Sequence, residues 1–241
     1  VLEAGSHFRP LSLSLPLMER LKKARLLFDE REIGFVCPHM QVRKAEDGLV
    51  LVNGVGLGGT TTLSAGNAVR SDGDLRALGI DLDEEFLEVY QEIPVTTEHR
   101  TRWRPATRRL WEISREMGLE PQPLPKLGHY ERCTNCGRCV VGCQHGVKWD
   151  SRRLLTEAVR GGASVVTGCR VERVVTRNGG AVGVEAKRGW RSQFYSADLV
   201  VLSAGGLGTP AILERSGFAT EQSLFVDPVL TVAAEREDAR Q

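Results

Sequence analysis

The sequence has no surplus of charge of either sign. Its 241 residues include 32 basic and 31 acidic side chains, which give a formal net charge of +1 at pH 7. Proteins that bind nucleic acid usually display an excess of lysine and arginine, because they have to neutralise the phosphate backbone. We therefore expect no nucleic-acid partner.

Long apolar runs are also missing. No continuous hydrophobic stretch approaches the roughly 20 residues that a helix needs to cross a bilayer, and the opening Val-Leu-Glu does not resemble a signal peptide. The chain is 41% hydrophobic and can still bury a substantial core. We predict a soluble protein with no transmembrane segment. Cysteines bunched in one segment favour a reducing, cytoplasmic compartment, although metal clusters also survive in enzymes that fold before export.

Four cysteines stand close together in the run CTNCGRCVVGC, which has the spacing C-x2-C-x2-C-x3-C. They are Cys133, Cys136, Cys139 and Cys143. Soft thiolate ligands at this spacing favour an iron–sulfur cluster and therefore electron transfer. Tetrahedral zinc is an alternative, although zinc modules usually separate two C-x2-C pairs by a dozen or more residues. A vestigial or disulfide-bonded loop is a third alternative.

The type of cluster stays open at this point. Gln144 stands where ferredoxins have a proline, and the chain lacks the second cysteine run of two-cluster ferredoxins. The fourth ligand could be Cys143, Cys169 or Cys37, or there could be none. The prediction is therefore a 4Fe–4S cluster, or a 3Fe–4S centre if only the first three cysteines of the run serve as ligands.

A glycine-rich loop follows a predicted strand at residues 49–52. The loop, NGVGLGGTTT at residues 53–62, has four glycines within six positions, so little side chain would separate a ligand from the backbone. The threonine hydroxyls add possible hydrogen-bond donors. Such a loop can cradle a phosphate or lie along a flavin, although tight structural turns also use glycine. It is not a Walker loop, because no Gly-Lys-Ser/Thr triplet follows.

Two other segments have the pattern of a nucleotide-binding sheet. Residues 1–5, VLEAG, predict the end of a strand that presents Glu3, a position from which an acid can bind a ribose hydroxyl. Residues 197–203 predict a strand buried on both faces, followed by a glycine turn and a helix that begins near Thr209-Pro210. The amino terminus of that helix would suit an electron-rich cofactor group, although the same turn is ordinary α/β architecture.

The remaining elements are scaffold. Apolar residues at helical spacing predict helices over about 16–31, 110–117 and 154–159. Apolar runs at 171–175 and 182–186 predict two antiparallel strands, joined by the turn residues Asn-Gly-Gly at 178–180.

Together, VLEAG, GLGGTTTLSAGN and LVVLSAGGLGTPAILERSG resemble successive landmarks of the glucose–methanol–choline (GMC) family of FAD-dependent oxidoreductases. The resemblance implies an α/β fold with a Rossmann-like, glutathione-reductase-type FAD-binding domain. It implies that the acid holds the adenosine ribose, that the glycine-rich loop and Asn67 approach the flavin, and that the late glycine segment closes the domain. The FAD-binding residues would be Glu3, Gly56, Gly58, Gly59, Thr60, Thr61, Asn67, Gly205, Thr209 and Pro210.

The cysteine run and the following Gly-Val-Lys-Trp, residues 146–149, resemble a branch of that family with an iron–sulfur centre beside the flavin. The resemblance implies a dehydrogenase that oxidises an alcohol or sugar hydroxyl and passes electrons from FAD through the cluster to an external ferredoxin, cytochrome or quinone. The alternatives are an iron–sulfur electron carrier without flavin and a GMC flavoprotein with a structural zinc loop. None of the five histidines stands in the family's catalytic motif, so no catalytic base is assigned.

The resemblance also implies a domain order. FAD-binding segments are expected at 1–71 and 151–217, separated by a helical insertion at 72–130 and a cysteine loop at 131–150, with the start of a substrate domain at 218–241. The GxGxxG turn of such domains lies about 20 residues before the ribose-binding acid. We therefore expect a fragment that lacks this turn and the catalytic region and is inactive alone.

Overall fold

The computed structural model describes residues 1–26, 32–46, 48–221, 223–224 and 226. Within these ranges the helices are α1 Leu15–Lys23, α2 Ile33–Val36, α3 Gly73–Ala77, α4 Asp83–Glu92, α5 Pro105–Glu116, α6 Arg152–Arg160 and α7 Gly205–Arg215. The strands are β1 Met40–Lys44, β2 Val50–Gly54, β3 Val95–Thr96, β4 Lys126–Leu127, β5 Cys169–Arg177, β6 Gly180–Arg188 and β7 Arg191–Ser196.

The chain divides into two compact units. The first contains residues 1–8 and 55–57 and the described residues from 156 onward, and the second contains residues 9–54 and 58–155. No helix in the parts of the chain that the structure describes is long and apolar enough to cross a membrane.

The first unit is built on an antiparallel sheet in the order β5-β6-β7. Asn178 and Gly179 connect β5 to β6, and Arg177 pairs with Gly180. Both turn residues have a left-handed backbone, with φ of 52° and 79°. A two-residue hairpin with this backbone matches the right-handed twist of its strands. The predicted hairpin is therefore confirmed.

Helix α7 packs against this sheet. Val174, Val184 and Ile212 form the buried centre of the contact, and Leu2, Val200 and Leu202 pack around them. The residues at 1–3 run parallel to the segment before β5, with the Glu3 N–H donating to the Val166 carbonyl at 2.9 Å. The mixed architecture agrees with the predicted α/β class.

The strand predicted at residues 197–203 is not formed. Leu199 and Val201 are 79% and 76% exposed, whereas Val200 and Leu202 face the core. The segment is thus apolar on both sides but buried on one. A strand needs a neighbour to complete its ladder of hydrogen bonds, and none pairs with this segment among the described residues.

The second unit contains two hairpins, β1 with β2 and β3 with β4, together with helices α1 to α5. Its helix α1 is shorter than predicted. It ends at Lys23, and Arg25 then adopts φ of 60°, a left-handed conformation that an α-helix does not continue through. The last part of that prediction, residues 27–31, lies outside the described residues.

Gly183 lies where β6 and β7 pack too closely to leave room for a side chain. A Cβ at Gly183, where φ is 148°, would lie 2.1 Å from the Tyr195 carbonyl oxygen. The Gly183→Ala variant should therefore lose about 2 kcal/mol or more of unfolding free energy in urea titrations. Gly180→Ala is the matched control on the same strand, because its nearest atom is an ordinary 3.9 Å away. Equal losses in both variants would contradict the packing argument.

Candidate functional site

The glycine-rich loop turns sharply at the end of β2. Gly58 and Gly59 have φ of 95° and 51°, and residues Gly59–Thr62 form one 3-10 turn. A Cβ at Gly58 would lie 2.7 Å from Thr62 and 2.8 Å from Arg152, whereas one at Gly59 would meet nothing within 4 Å. Gly58 is thus required by internal packing, and Gly59 opens onto free space in which a ligand could approach the backbone.

The threonine hydroxyls of the loop serve mainly to hold its shape. Thr61 donates to the Gly58 carbonyl at 2.5 Å, and Thr62 donates to the Gly59 carbonyl at 2.8 Å. The Thr60 hydroxyl accepts from the Gly54 N–H at 3.1 Å and keeps its own hydrogen. Of these three hydroxyls, that of Thr60 therefore remains a donor for a ligand.

A buried lysine anchors this loop. The Lys148 ammonium contacts the carbonyl oxygens of Thr61, Thr62 and Ser64 at 3.0, 2.8 and 2.6 Å. It also contacts the Cys139 carbonyl at 3.1 Å. Lys148 is 3% exposed, and burial lowers its pKa to about 8. The group still carries its proton at neutral pH, as four carbonyl acceptors require.

The residues after Lys148 brace the same loop. Ser151 donates its N–H to the Thr61 hydroxyl oxygen and its own hydroxyl to the Gly58 carbonyl, both at 3.1 Å. Asp150 holds Arg152 through two side-chain hydrogen bonds of 2.7 and 2.8 Å. Burial would raise the Asp150 pKa, but the Arg152 guanidinium outweighs burial and keeps that pKa below its usual value.

The four cysteines of the run line a single cavity in the second unit. Cys133, Cys136, Cys139 and Cys143 share it with Tyr130, Thr134, Gly137, His145, Val147 and Lys148. The cavity has a volume of about 20 Å³ and is partly open to solvent. All four are free thiols. The structure therefore brings together the cysteines that the spacing singled out.

Backbone groups and arginines shape the cysteine loop. Asn135 has a left-handed backbone with φ of 53°, and its N–H points at the Cys133 sulfur at 3.4 Å. Arg102 donates to the Cys133 carbonyl at 3.0 Å, and Arg104 donates to the Asn135 carbonyl at 2.9 Å. The loop thus directs a backbone donor toward a sulfur, as iron–sulfur loops do.

Gln144 has a structural role that the sequence did not indicate. Its side-chain amide donates to the Leu11 carbonyl at 2.7 Å and accepts from Arg138 at 3.1 Å. The residue that replaces the ferredoxin proline therefore fastens the end of the cysteine loop to the chain near residue 11.

The cysteines are not arranged around a single ion. Within the described ranges, no three histidine, cysteine, aspartate or glutamate side chains are placed to hold one metal ion. In a four-iron cluster each thiolate binds its own iron, so the ligands surround a volume and do not converge on a point. Four free thiols around one cavity match a cluster in donor type, and the cluster itself stays a prediction.

Tyr130 also lines this cavity. It is 4% exposed, and its hydroxyl oxygen makes no hydrogen bond. Burial raises the pKa of Tyr130, and the nearby Cys139 raises it further. A buried hydroxyl without a partner is rare in folded proteins.

The predicted ribose-binding acid lies in the first unit. Glu3 accepts from the Gly5 N–H at 2.7 Å through Oε1, and its Oε2 has no hydrogen-bond partner among the described residues. Gly5 packs against Gly56 so closely that a Cβ would lie 2.5 Å from the Gly56 nitrogen. Glu3 and Gly56 are thus brought together, and one carboxylate oxygen remains free for a ligand.

The late glycine segment forms the start of α7, also in the first unit. Gly205 has φ of 75° and open space where a Cβ would stand. The Thr209 hydroxyl accepts from the Ala204 N–H at 3.0 Å, and Pro210 lies inside the helix. No side chain caps α7, so its first N–H groups are open to an acceptor, and the contact of this segment with a cofactor stays a prediction.

Asn67 and His99 both make hydrogen bonds to neighbouring residues. The Asn67 side-chain oxygen accepts from the Lys126 ammonium at 2.6 Å, so its contact with a flavin stays a prediction. His99 contacts the Leu124 carbonyl at 2.7 Å and accepts from Trp103 at 3.0 Å. Both ring nitrogens are therefore engaged, which leaves His99 no role as a base.

Comparison with known proteins agrees with these observations. Residues 40–230 match the family described as GMC oxidoreductase. An uncharacterized GMC-type oxidoreductase of Mycobacterium tuberculosis is 30% identical over 188 residues, 70% of this chain and 29% of that protein. A long-chain-alcohol oxidase of Arabidopsis thaliana is 35% identical over 112 residues, 39% of this chain and 15% of that protein.

The fold also has a counterpart among solved structures. The crystal structure of pyridoxine 4-oxidase from Mesorbium loti matches with a TM-score of 0.62 and 20% identity, over 90% of this chain and 46% of that chain. At this identity the likeness concerns the fold, and it confirms the predicted fold class. The chain spans 29% of the length of the mycobacterial relative.

Lys148 offers the sharpest test of how the second unit is organised. Lys148→Met keeps much of the side-chain volume but leaves four carbonyl oxygens without their donor, so we expect a loss of about 3 kcal/mol or more in unfolding free energy. Lys23→Met is the control, because Lys23 makes an exposed ion pair with Glu19 at 3.0 Å and should change stability by less than about 1 kcal/mol. Similar losses from both would contradict the anchoring role.

Proposed function

The chain belongs to the glucose–methanol–choline oxidoreductase family, and on that premise we propose that it forms part of an FAD-dependent dehydrogenase. The enzyme would oxidise the CH–OH group of an alcohol or sugar and send the electrons through an iron–sulfur cluster to an external ferredoxin, cytochrome or quinone. The likeness to a long-chain-alcohol oxidase supports an alcohol substrate. Six unpaired thiols support a reducing, cytoplasmic location.

One observation carries this proposal. The Lys148 ammonium contacts the Thr61 and Thr62 carbonyls of the glycine-rich loop and the Cys139 carbonyl of the cysteine loop. The loop expected to lie against the flavin and the loop expected to hold the cluster therefore share one buried anchor. Adjacent loops of this kind suit a relay between two redox centres.

Several residues would bind FAD. The free oxygen of Glu3 would accept a ribose hydroxyl, the open face of Gly59 would let the cofactor approach the backbone, and the Thr60 hydroxyl would donate a hydrogen bond. The uncapped amino end of α7 at Gly205 would face an electron-rich group. We assign Asn67 to the flavin side on the resemblance alone.

The cysteines would bind the second centre. Cys133, Cys136 and Cys139 are proposed as ligands, with Cys143 as the fourth because it lines the same cavity, whereas Cys37 and Cys169 are buried elsewhere. When both groups are bound, FAD supplies hydride acceptance and the cluster supplies single-electron transfer. The four cysteines are half-buried, and the buried Val147 covers part of the same cavity.

The Cys136→Ser variant of the full-length protein tests the route of the electrons. Reduction of bound flavin by substrate should persist, because Cys136 is no part of the proposed FAD site. Transfer to an external acceptor should fall at least tenfold, because the cluster loses a ligand. Stopped-flow absorbance separates the two steps.

Thr134→Ala is the matched control for that experiment. Thr134 lines the same cavity but provides no thiolate, so both steps should proceed at the normal rate. Unimpaired transfer to the acceptor in Cys136→Ser would remove the cluster from the pathway.

A further inference from the structure

The Tyr130 hydroxyl can donate a hydrogen bond that the proposed function does not use. Its phenol is buried, with 4% of the residue exposed, and its oxygen has no hydrogen-bond partner in the part of the chain that the structure describes. Burial of a hydroxyl costs free energy unless it has a hydrogen-bond partner, and a bound group can supply that partner. Tyr130 lines the cavity of the four cysteines, so a group in that cavity is the available partner.

The position of the phenol is fixed by its surroundings. Its ring lies edge-on to the His99 ring at a centroid distance of 6.1 Å, and His99 is itself held by Trp103 and Leu124. A Cβ at Gly66 would lie 3.0 Å from the phenol oxygen. The glycine therefore leaves just enough room for the hydroxyl at that position.

The hydroxyl shares the cavity with the cysteine thiols. Burial raises its pKa most, and the thiols of Cys139, Cys133 and Cys143 raise it further in that order. A hydrogen-bond contact with the Cys139 thiol raises the pKa of the phenol and partly offsets the rise that burial causes in the pKa of the thiol, although its geometry falls short of a full hydrogen bond. The phenol retains its proton and can only donate toward these sulfurs.

We propose that the Tyr130 hydroxyl donates a hydrogen bond to the sulfur shell of the iron–sulfur cluster and raises its reduction potential. This inference rests on the proposed function. The reduced cluster carries one more electron than the oxidised cluster, so a donor stabilises the reduced form more. No bond is broken, and the phenol keeps its proton in both states. Tyr130 would thus tune the potential at which the cluster accepts an electron.

The loop contains a second donor of the same kind. The Asn135 N–H points at the Cys133 sulfur at 3.4 Å and comes from the backbone, so side-chain replacement cannot remove it. Tyr130 is the donor that mutation can remove cleanly. Phenylalanine keeps the ring and its contact with His99 and lacks only the hydroxyl.

The test uses full-length protein with its cluster bound and titrates it with dithionite while electron paramagnetic resonance reports the reduced fraction. In Tyr130→Phe the equilibrium constant for one-electron reduction should fall roughly tenfold, a shift of about 59 mV to lower potential. Tyr90→Phe is the matched control. Its ring pairs with Phe86 at 5.7 Å away from the cavity, and the potential should not change.

A second substitution acts in the opposite direction and preserves size. Incorporation of 3-fluorotyrosine at position 130 makes the phenol a stronger donor, so the potential should rise. Unchanged potentials in both variants, with the cluster fully bound, would overturn this inference and leave the proposed electron route intact. A wild-type protein that binds no iron–sulfur cluster would overturn both.

Discussion

One buried ammonium group joins the glycine-rich loop and the cysteine loop of the second unit. An isolated charge in a protein interior is strongly unfavourable, and it is tolerated when carbonyl oxygens surround it. Lys148 meets this condition with four carbonyls from two loops. Its own segment is held by backbone pairing, since the Trp149 N–H donates to the Leu127 carbonyl at 3.0 Å. Neither loop can move away from this segment without exposing unpaired groups.

This constraint explains why the two loops behave as one site. In the glycine-rich loop, hydrogen bonds of the Thr61 and Thr62 hydroxyls and of the Lys148 ammonium fix the turn. Gly59 therefore stays open to a ligand. The cysteine loop keeps its thiols around a cavity because Lys148 fixes Cys139 and Gln144 fixes the end of the run. Within the second unit, Lys148 thus links the proposed flavin loop to the proposed cluster loop, and a relay of electrons needs such proximity.

Local chemistry allowed much of this to be predicted from the sequence. The Asn-Gly turn between β5 and β6, helix α6 and the gathering of four cysteines all depend on residues close together in the chain. The role of Lys148 was not predictable, because a lysine is ordinarily exposed and its partners lie up to 87 positions away. The same holds for the orphaned hydroxyl of Tyr130. The strand expected at 197–203 was wrong because hydrophobicity cannot show whether a neighbouring strand is available.

The central claim is that one polypeptide holds both FAD and an iron–sulfur cluster. The most direct measurement is joint analysis of flavin, iron and acid-labile sulfide in the full-length protein purified without oxygen. The account predicts about one releasable FAD with about four irons and four sulfides per chain, or three irons if Cys143 is not a ligand. Stoichiometric zinc with no acid-labile sulfide, or flavin with no metal at all, would contradict it.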